Sequence, residues 1–274
     1  MPMYDLDPTS DARRGQVNTT AAEIYDEFFV PALFGQFAGP VLDHARVDAG
    51  DRVLDVGCGT GILARAALER VRPNGSVAAV DPNEGMLTVA RRSSTAIEWC
   101  SGSAEALPYA DGLVDRTLCQ FAAMFFADRP TAIGEMARVT TARGTLTIAT
   151  WAGLGRTPGY EAMVALIADE LGDAAADALR APFVLGELDQ VVELLDPVGT
   201  EMRVDEVAGT ARFSSVADWV HTDVRGWTLS DLVDDAAETA LATRAERELA
   251  RFIADDGSVS FPAPAIVGTV IVGH

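Results

Sequence analysis

The sequence predicts an α/β fold in which a mostly parallel sheet presents a ligand site at the carboxyl ends of its strands. Three observations predict it. Apolar runs of strand length recur at residues 53–56, 77–80, 113–121 and 146–151, with helical periodicity or turn residues between them, the alternation of βαβ units. The first two runs each end in a carboxylate, Asp55 and Asp81. Directly after Asp55 come three glycines at alternate positions, Gly57, Gly59 and Gly61, and then an apolar helical pattern from Ile62.

In chain order, residues 1–17 are polar and are expected to be a loose end. Thr19 to Ala45 is helical and rich in aromatics, with Tyr25, Phe28, Phe29, Phe34 and Phe37. Asp51 opens the first strand. The turn that follows needs glycine because a ligand lying against bare backbone leaves no room for a Cβ.

The spacing selects the ligand. A dinucleotide fingerprint requires G-x-G-x-x-G around a pyrophosphate at a helix N-terminus. Gly57 and Gly59 fit, but Ile62 holds the third glycine position and Gly61 comes one residue early. Asp55 would repel a phosphate and attract an ammonium group. A ligand with a nucleoside at one end and an amino acid at the other, S-adenosylmethionine, suits this site better than NAD. With Asp55-Val56-Gly57-Cys58-Gly59-Thr60-Gly61 on the page, the chain resembles the class I S-adenosylmethionine-dependent methyltransferases, specifically the ubiquinone/menaquinone-biosynthesis type and similar small-molecule enzymes.

The resemblance spans roughly residues 20–151 and implies a Rossmann-like, doubly wound, seven-stranded sheet, mostly parallel with an antiparallel last strand. It implies cofactor contacts at Asp55, Gly57, Cys58, Gly59, Thr60 and Gly61. Asp81 lies near the ~20-residue offset at which an acid takes ribose hydroxyls. The competing reading is that Asp81 caps a helix beginning at Pro82. Met86 resembles the apolar residue packed on adenine, or is an ordinary core methionine. Cys100 to Pro108 matches the adenine loop, usually G-D-A-E-x-L-P. Ser103 stands where aspartate is expected, a weaker acceptor, Ala104 contributes its backbone amide, and Glu105 follows. Gln120 and Phe121 fall at the end of the fourth strand, where open α/β sheets place their ligands.

Past strand five the match weakens. Tyr160–Gly172 and Glu187–Leu195 have helical period, Met202–Ala208 alternates as a strand, and Ala265–Val272 reads as a final strand at the sheet edge. The intervening stretch exceeds a hairpin loop and reads as a helical cap. The expected organisation is an N-terminal helical lid over 1–45, a core over 46–212 and 261–274, and a cap over 213–260 inserted near the C-terminus, acting as one catalytic unit.

Composition narrows the function. The chain has 274 residues, 49% of them hydrophobic, and a formal net charge of −20 with no lysine. That field repels phosphate backbones, so the expected partner is a small-molecule acceptor and not nucleic acid. No apolar run approaches the ~20 residues of a membrane span, and a cytoplasmic protein without a membrane partner is expected; homodimerisation is left open. Cys58, Cys100 and Cys119 lack metal-ligand spacing and are expected to be free thiols, with no metal.

The chemistry implied is methyl transfer to oxygen, nitrogen or carbon of an acceptor from secondary or quinone-type metabolism. Of the three histidines, His44 precedes the glycine turn and His274 is terminal. That leaves His221 as the candidate base, or else a surface residue. Tyr25 and Phe34 are candidate lid residues. Trp151 and Trp227 are candidate walls for a planar acceptor, and Arg225 either holds a substrate carboxylate or pairs with a local acid. The rival readings are an S-adenosylmethionine-binding module without turnover and a nicotinamide-dependent oxidoreductase.

Overall fold

A computed structural model describes residues 18–226, 229 and 233–273. The expected loose end at 1–17, the candidate wall Trp227 and the terminal His274 lie outside the described residues. Asn18 starts the first helix, α1 (Thr19–Ile24), its side chain accepting the Ala21 N–H at 2.9 Å. The helix widens into a π-wound stretch, Tyr25–Phe34, and continues as α2 (Gly35–His44). Pro31 lies inside the π stretch and has no N–H to give, so the regular ladder cannot run through it. Such stretches recur at functional sites, and this one turns Phe29 and Phe34 inward.

The core follows as β1 (Arg52–Val56), α3 (Ile62–Val71), β2 (Ser76–Asp81), α4 (Glu84–Ser93), β3 (Glu98–Ser101), β4 (Val114–Gln120), α5 (Arg129–Val139) and β5 (Thr140–Trp151). Val53 packs with Val41, Leu42, Leu63 and Ala67 of α2 and α3, whereas Leu54 and Val56 join Ile133 and Met136 of α5. Alternate residues therefore serve opposite faces, and a strand covered on both sides reads as one apolar run.

The chain then forms α6 (Pro158–Leu171), α7 (Asp173–Arg180), α8 (Leu188–Leu195), β6 (Gly199–Val207), β7 (Thr210–Phe213), α9 (Val216–Arg225), α10 (Asp235–Glu248), β8 (Val259–Pro262) and β9 (Ala265–Val272). Seven strands make one sheet in the order β3-β2-β1-β4-β5-β9-β6. The pairs from β3 to β5 are parallel, while β9 is antiparallel to both β5 and β6. The order reverses beside β1, so the carboxyl ends of β1, β2 and β4 flank the crevice where ligands bind in such sheets.

The last strand is not at the edge, as the sequence led one to expect. It is inserted between β5 and β6 and buried at all but one position. A strand whose one polar side chain, Thr269, is itself buried against Thr147 would expose apolar surface to water at an edge. β6, with a more exposed and charged face, takes the edge instead.

Two elements had no counterpart in the sequence reading: α7, and a two-stranded ribbon of β7 and β8. The ribbon closes the base of the insertion, with Phe213 and Phe261 packed on the fully buried Trp219. On the other side, Arg244 of α10 reaches Asp169 and Glu170 of α6, so the insertion leans on the helices that follow strand five. No helix among the described residues is long and apolar enough to cross a membrane.

Candidate active site

The glycine turn between β1 and α3 is held to the second strand by its own amides. The Gly57 and Cys58 N–H groups both donate to Val80 O, at 2.8 and 3.1 Å. The three glycines do not share one reason. At Gly57 (φ +71°) a Cβ would lie 2.3 Å from Ala122 Cβ, and at Gly61 (φ +88°) it would lie 2.3 Å from the Trp99 ring. Only at Gly59 (φ +54°) would a Cβ meet no protein atom within 4 Å, because this residue faces open space. Packing thus accounts for Gly57 and Gly61, while Gly59 leaves its side of the cleft free of protein atoms. Gly61 is also the one member of the expected motif contacts that does not line the cleft.

That open space is a cleft of about 730 Å³ at the carboxyl ends of β1, β2 and β4, within the range of roughly 300–1,000 Å³ typical of small-molecule sites. Asp55, Gly57, Cys58, Gly59, Thr60, Asp81, Pro82, Met86, Ser103, Ala104, Glu105, Gln120 and Phe121 all line it, as do Tyr25 and Phe34 from the N-terminal helices. Gly102, Met124, Phe125 and Arg129 line it too and were missed. Gly102 has a visible signal, being the first residue of the adenine-loop motif. The rim residues after Phe121 have none, since they reach the cleft only through the fold of the loop.

Asp81 bridges the two ligand loops. Its Oδ2 accepts the Gly59 N–H and its Oδ1 the Asn83 N–H, both at 2.8 Å. It does not cap α4. Asn83 does, accepting the Met86 N–H at 3.0 Å, and α4 begins at Glu84, later than Pro82. The capping alternative therefore falls, and a carboxylate with lone pairs to spare is left facing the cleft.

Asp55 is 1% exposed and its Oδ2 has no hydrogen-bond partner. Burial pushes its carboxyl up to about 7, against the pull of a backbone hydrogen bond from Ala64. Burial likewise raises Asp81 to about 6. Both acids carry part of the cost of desolvated charge that a donor-rich or cationic ligand would relieve.

The rim is tied down by Glu105. Its Oε1 accepts the N–H groups of Ala127 and Asp128, and the Ser103 hydroxyl donates to its Oε2. Ser103 is therefore engaged with its neighbour across the loop while still lining the cleft. Gln120 Nε2 donates to Phe34 O at 3.3 Å, joining β4 to the N-terminal helices, and its Oε1 is buried and unpartnered. Arg129 holds the rim from within, donating to Ala123 O and Met124 O. Phe121 adopts φ +57°, an unusual conformation for a bulky residue, and its ring stacks on Trp151 at 3.9 Å and 9°.

His221 and Arg225 are elsewhere. His221 Nδ1 lies 2.8 Å from Glu238 Oε1, its ring edge-on to Phe28, and Arg225 pairs with Glu238 and Asp235. Neither lines the cleft or the chamber beside it. The reason is local: Glu238 of α10 captures both side chains of α9 in one network. Trp151 does reach a cavity, a second, smaller chamber behind Phe34 and Phe121. The cysteines are free thiols, and no metal-holding cluster is found among the described residues.

The sheet order defines a Rossmann-like domain, and two buried acids flank its cleft. Residues 54–148 match the methyltransferase domain family. A malonyl-[acyl-carrier protein] O-methyltransferase of Erwinia pyrifoliae is 39% identical over 111 residues, 40% of this chain and 41% of the relative. A ubiquinone/menaquinone biosynthesis C-methyltransferase UbiE of Stenotrophomonas maltophilia is 34% identical over 139 residues, 47% of this chain and 55% of the relative. The chain thus spans about half the length of the curated relatives it matches. Among solved structures, a putative methyltransferase from an antibiotic biosynthesis pathway of Anabaena variabilis shares the fold, with TM-score 0.62 at 20% identity over 86% of this chain and 97% of that one. Residues 54–148 are thus similar to a methyltransferase domain, and the Rossmann-like fold around them is shared with that solved structure.

Proposed function

We propose that the protein methylates a small organic acceptor, with S-adenosylmethionine held in the cleft between the glycine turn and the Asp81 loop. The observation that carries this reading is the buried, unpartnered Asp55 Oδ2 in the same cleft as Asp81 and Gly59, where a Cβ on Gly59 would meet no protein atom. In this arrangement Asp81 takes the ribose hydroxyls, Asp55 faces the ammonium end, and Met86 with the Ser103–Glu105 loop encloses the adenine. Bound there, the cofactor would supply a methyl group on a sulfonium, a donor reactive toward an electron-rich oxygen, nitrogen or carbon, and would leave as S-adenosylhomocysteine.

The chain's own contribution is alignment and the exclusion of water, which supply much of the acceleration for so reactive a donor. Tyr25 and Phe34, their rings 5.0 Å apart and stacked, close the cleft from the N-terminal side. His221 takes no part in this mechanism, being committed to Glu238. The curated relatives are named for methylation at an oxygen and at a carbon, and the match to the methyltransferase domain family ends at residue 148. The acceptor class is therefore sought in the residues that follow strand five. A screen with methyl-labelled cofactor over phenols, amines, quinols and carboxylic acids tests the proposal. Label transferred to at least one acceptor and lost in Asp81→Ala is the expected result; no transfer to any acceptor by a protein that binds S-adenosylhomocysteine would refute turnover.

A further inference from the structure

Behind the cleft lies a small chamber of about 40 Å³ whose wall includes Phe34, Phe121 and Phe125, all three of which also line the cofactor cleft. Its far side holds the polar side chains Thr157, Tyr160 and Asp223. Asp223 is 1% exposed. Its Oδ1 accepts the Tyr160 hydroxyl at 3.2 Å, and its Oδ2 is buried with no partner. Thr157, wholly buried, likewise has an unpartnered Oγ1. No arginine or histidine is among the residues described as lining this chamber.

An unpaired carboxyl in an aromatic box is costly unless something fills it. Burial holds the Asp223 carboxyl well above the usual carboxylate range, against the pull of the Tyr160 hydroxyl and the Trp219 indole N–H. The tie to Tyr160 satisfies one oxygen and leaves the other facing the chamber. What would satisfy it is a hydroxyl or amino group on an otherwise apolar molecule, able to donate to the carboxylate or to accept from the neutral acid. A carboxylate there would be stripped of water with no cation to offset the cost.

Resting on the methyltransferase reading above, we propose that Asp223, with Thr157, is the acceptor-recognition site, and that it selects aromatic acceptors bearing a hydroxyl or amino donor over acceptors bearing a carboxylate. The space fits a substituent and not a whole ring, having room for only a few waters at the ~10–15 Å³ each requires. The donor group therefore enters the chamber, while the body of the acceptor lies against Phe34, Phe121 and Phe125 on the cofactor side. Asp223 acts here in positioning and specificity, and no proton transfer is assigned to it.

The test uses the full chain saturated with S-adenosylhomocysteine and two matched probe sets, phenols with anilines and benzoates of the same ring size, read by calorimetry. The phenol and aniline arms separate hydroxyl from amino donors. Donor probes are expected to bind more tightly than benzoates, and Asp223→Asn is expected to cut that ratio by about tenfold or more, as loss of a built hydrogen-bond partner does. A merely structural Asp223 would lower stability and leave the ratio unchanged. Tyr160→Phe, which keeps Asp223 and frees its second oxygen, is expected to retain the preference and serves if Asp223→Asn fails to fold. Tighter binding of benzoates, an unchanged ratio in Asp223→Asn, loss of the preference in Tyr160→Phe, or no binding by either set would overturn the proposal. Failure to bind S-adenosylhomocysteine at all would instead strike the cofactor reading beneath it.

Discussion

Asp55 and Asp81 are two carboxyls whose burial raises them to about 7 and about 6. The folded, ligand-free protein thus keeps protons that the unfolded chain releases near about pH 4, so these groups stabilise it at low pH and that contribution is lost as the pH rises through about 6–7. A ligand that brings an ammonium to Asp55 and hydroxyls to Asp81 favours their ionised forms. The rise in melting temperature caused by S-adenosylhomocysteine is therefore expected to be larger at pH 8 than at pH 5; equal or reversed shifts would contradict the assignment. Asp81→Ala should weaken binding by ~1–3 kcal/mol, the scale of hydrogen bonds to a charged group. Calorimetry on a folded variant checks this, and unchanged affinity would remove Asp81 from the ribose site. The two acids were legible in the sequence because each ends an apolar run. Asp223 was not, since it sits on a helix with other acids nearby and its isolation depends on Tyr160, many residues away.

At the scale of elements, the strand–turn–helix was read in the right place, but two of its glycines have a different cause. Their neighbours Ala122 and Trp99 are remote in sequence, so the clashes a Cβ would make at Gly57 and Gly61 exist only in the fold. Gly61→Ala should accordingly cost more than the ~1–2 kcal/mol of left-handed backbone alone, because Trp99 must also move. Gly59→Ala meets no protein atom, so it should cost no more than that backbone penalty in stability while impairing cofactor binding. Urea midpoints and calorimetric affinities for the pair give the comparison; equal loss of stability in both would refute the division of roles. The ribbon of β7 and β8 escaped notice because its strands are short and separated by the whole insertion. The position of β9 was misjudged because an apolar strand pattern gives burial and not neighbour order.

Across the whole molecule, one aromatic cluster joins three parts of the chain. Phe34 and Phe37 from the N-terminal helices, Phe121 from the rim and Trp151 from the end of β5 pack ring on ring, with centroids 3.9–5.5 Å apart. Phe121 and Trp151 each touch the other three rings, and Trp151 is 5% exposed. Trp151→Ala should lower stability by ~3–5 kcal/mol, as large core truncations do. It should also loosen the N-terminal helices over the cleft. A loss below ~1 kcal/mol in chemical denaturation would show that the cluster does not bind the parts together.

The central claim is that the cleft beside Gly59 grips a methionine-linked adenosine and no dinucleotide. Calorimetric titration of the full chain with S-adenosylhomocysteine, run beside NADH, tests it most directly. Saturable one-to-one binding of S-adenosylhomocysteine, with none of NADH, is the result expected. Binding of NADH without S-adenosylhomocysteine, or of neither, would contradict it.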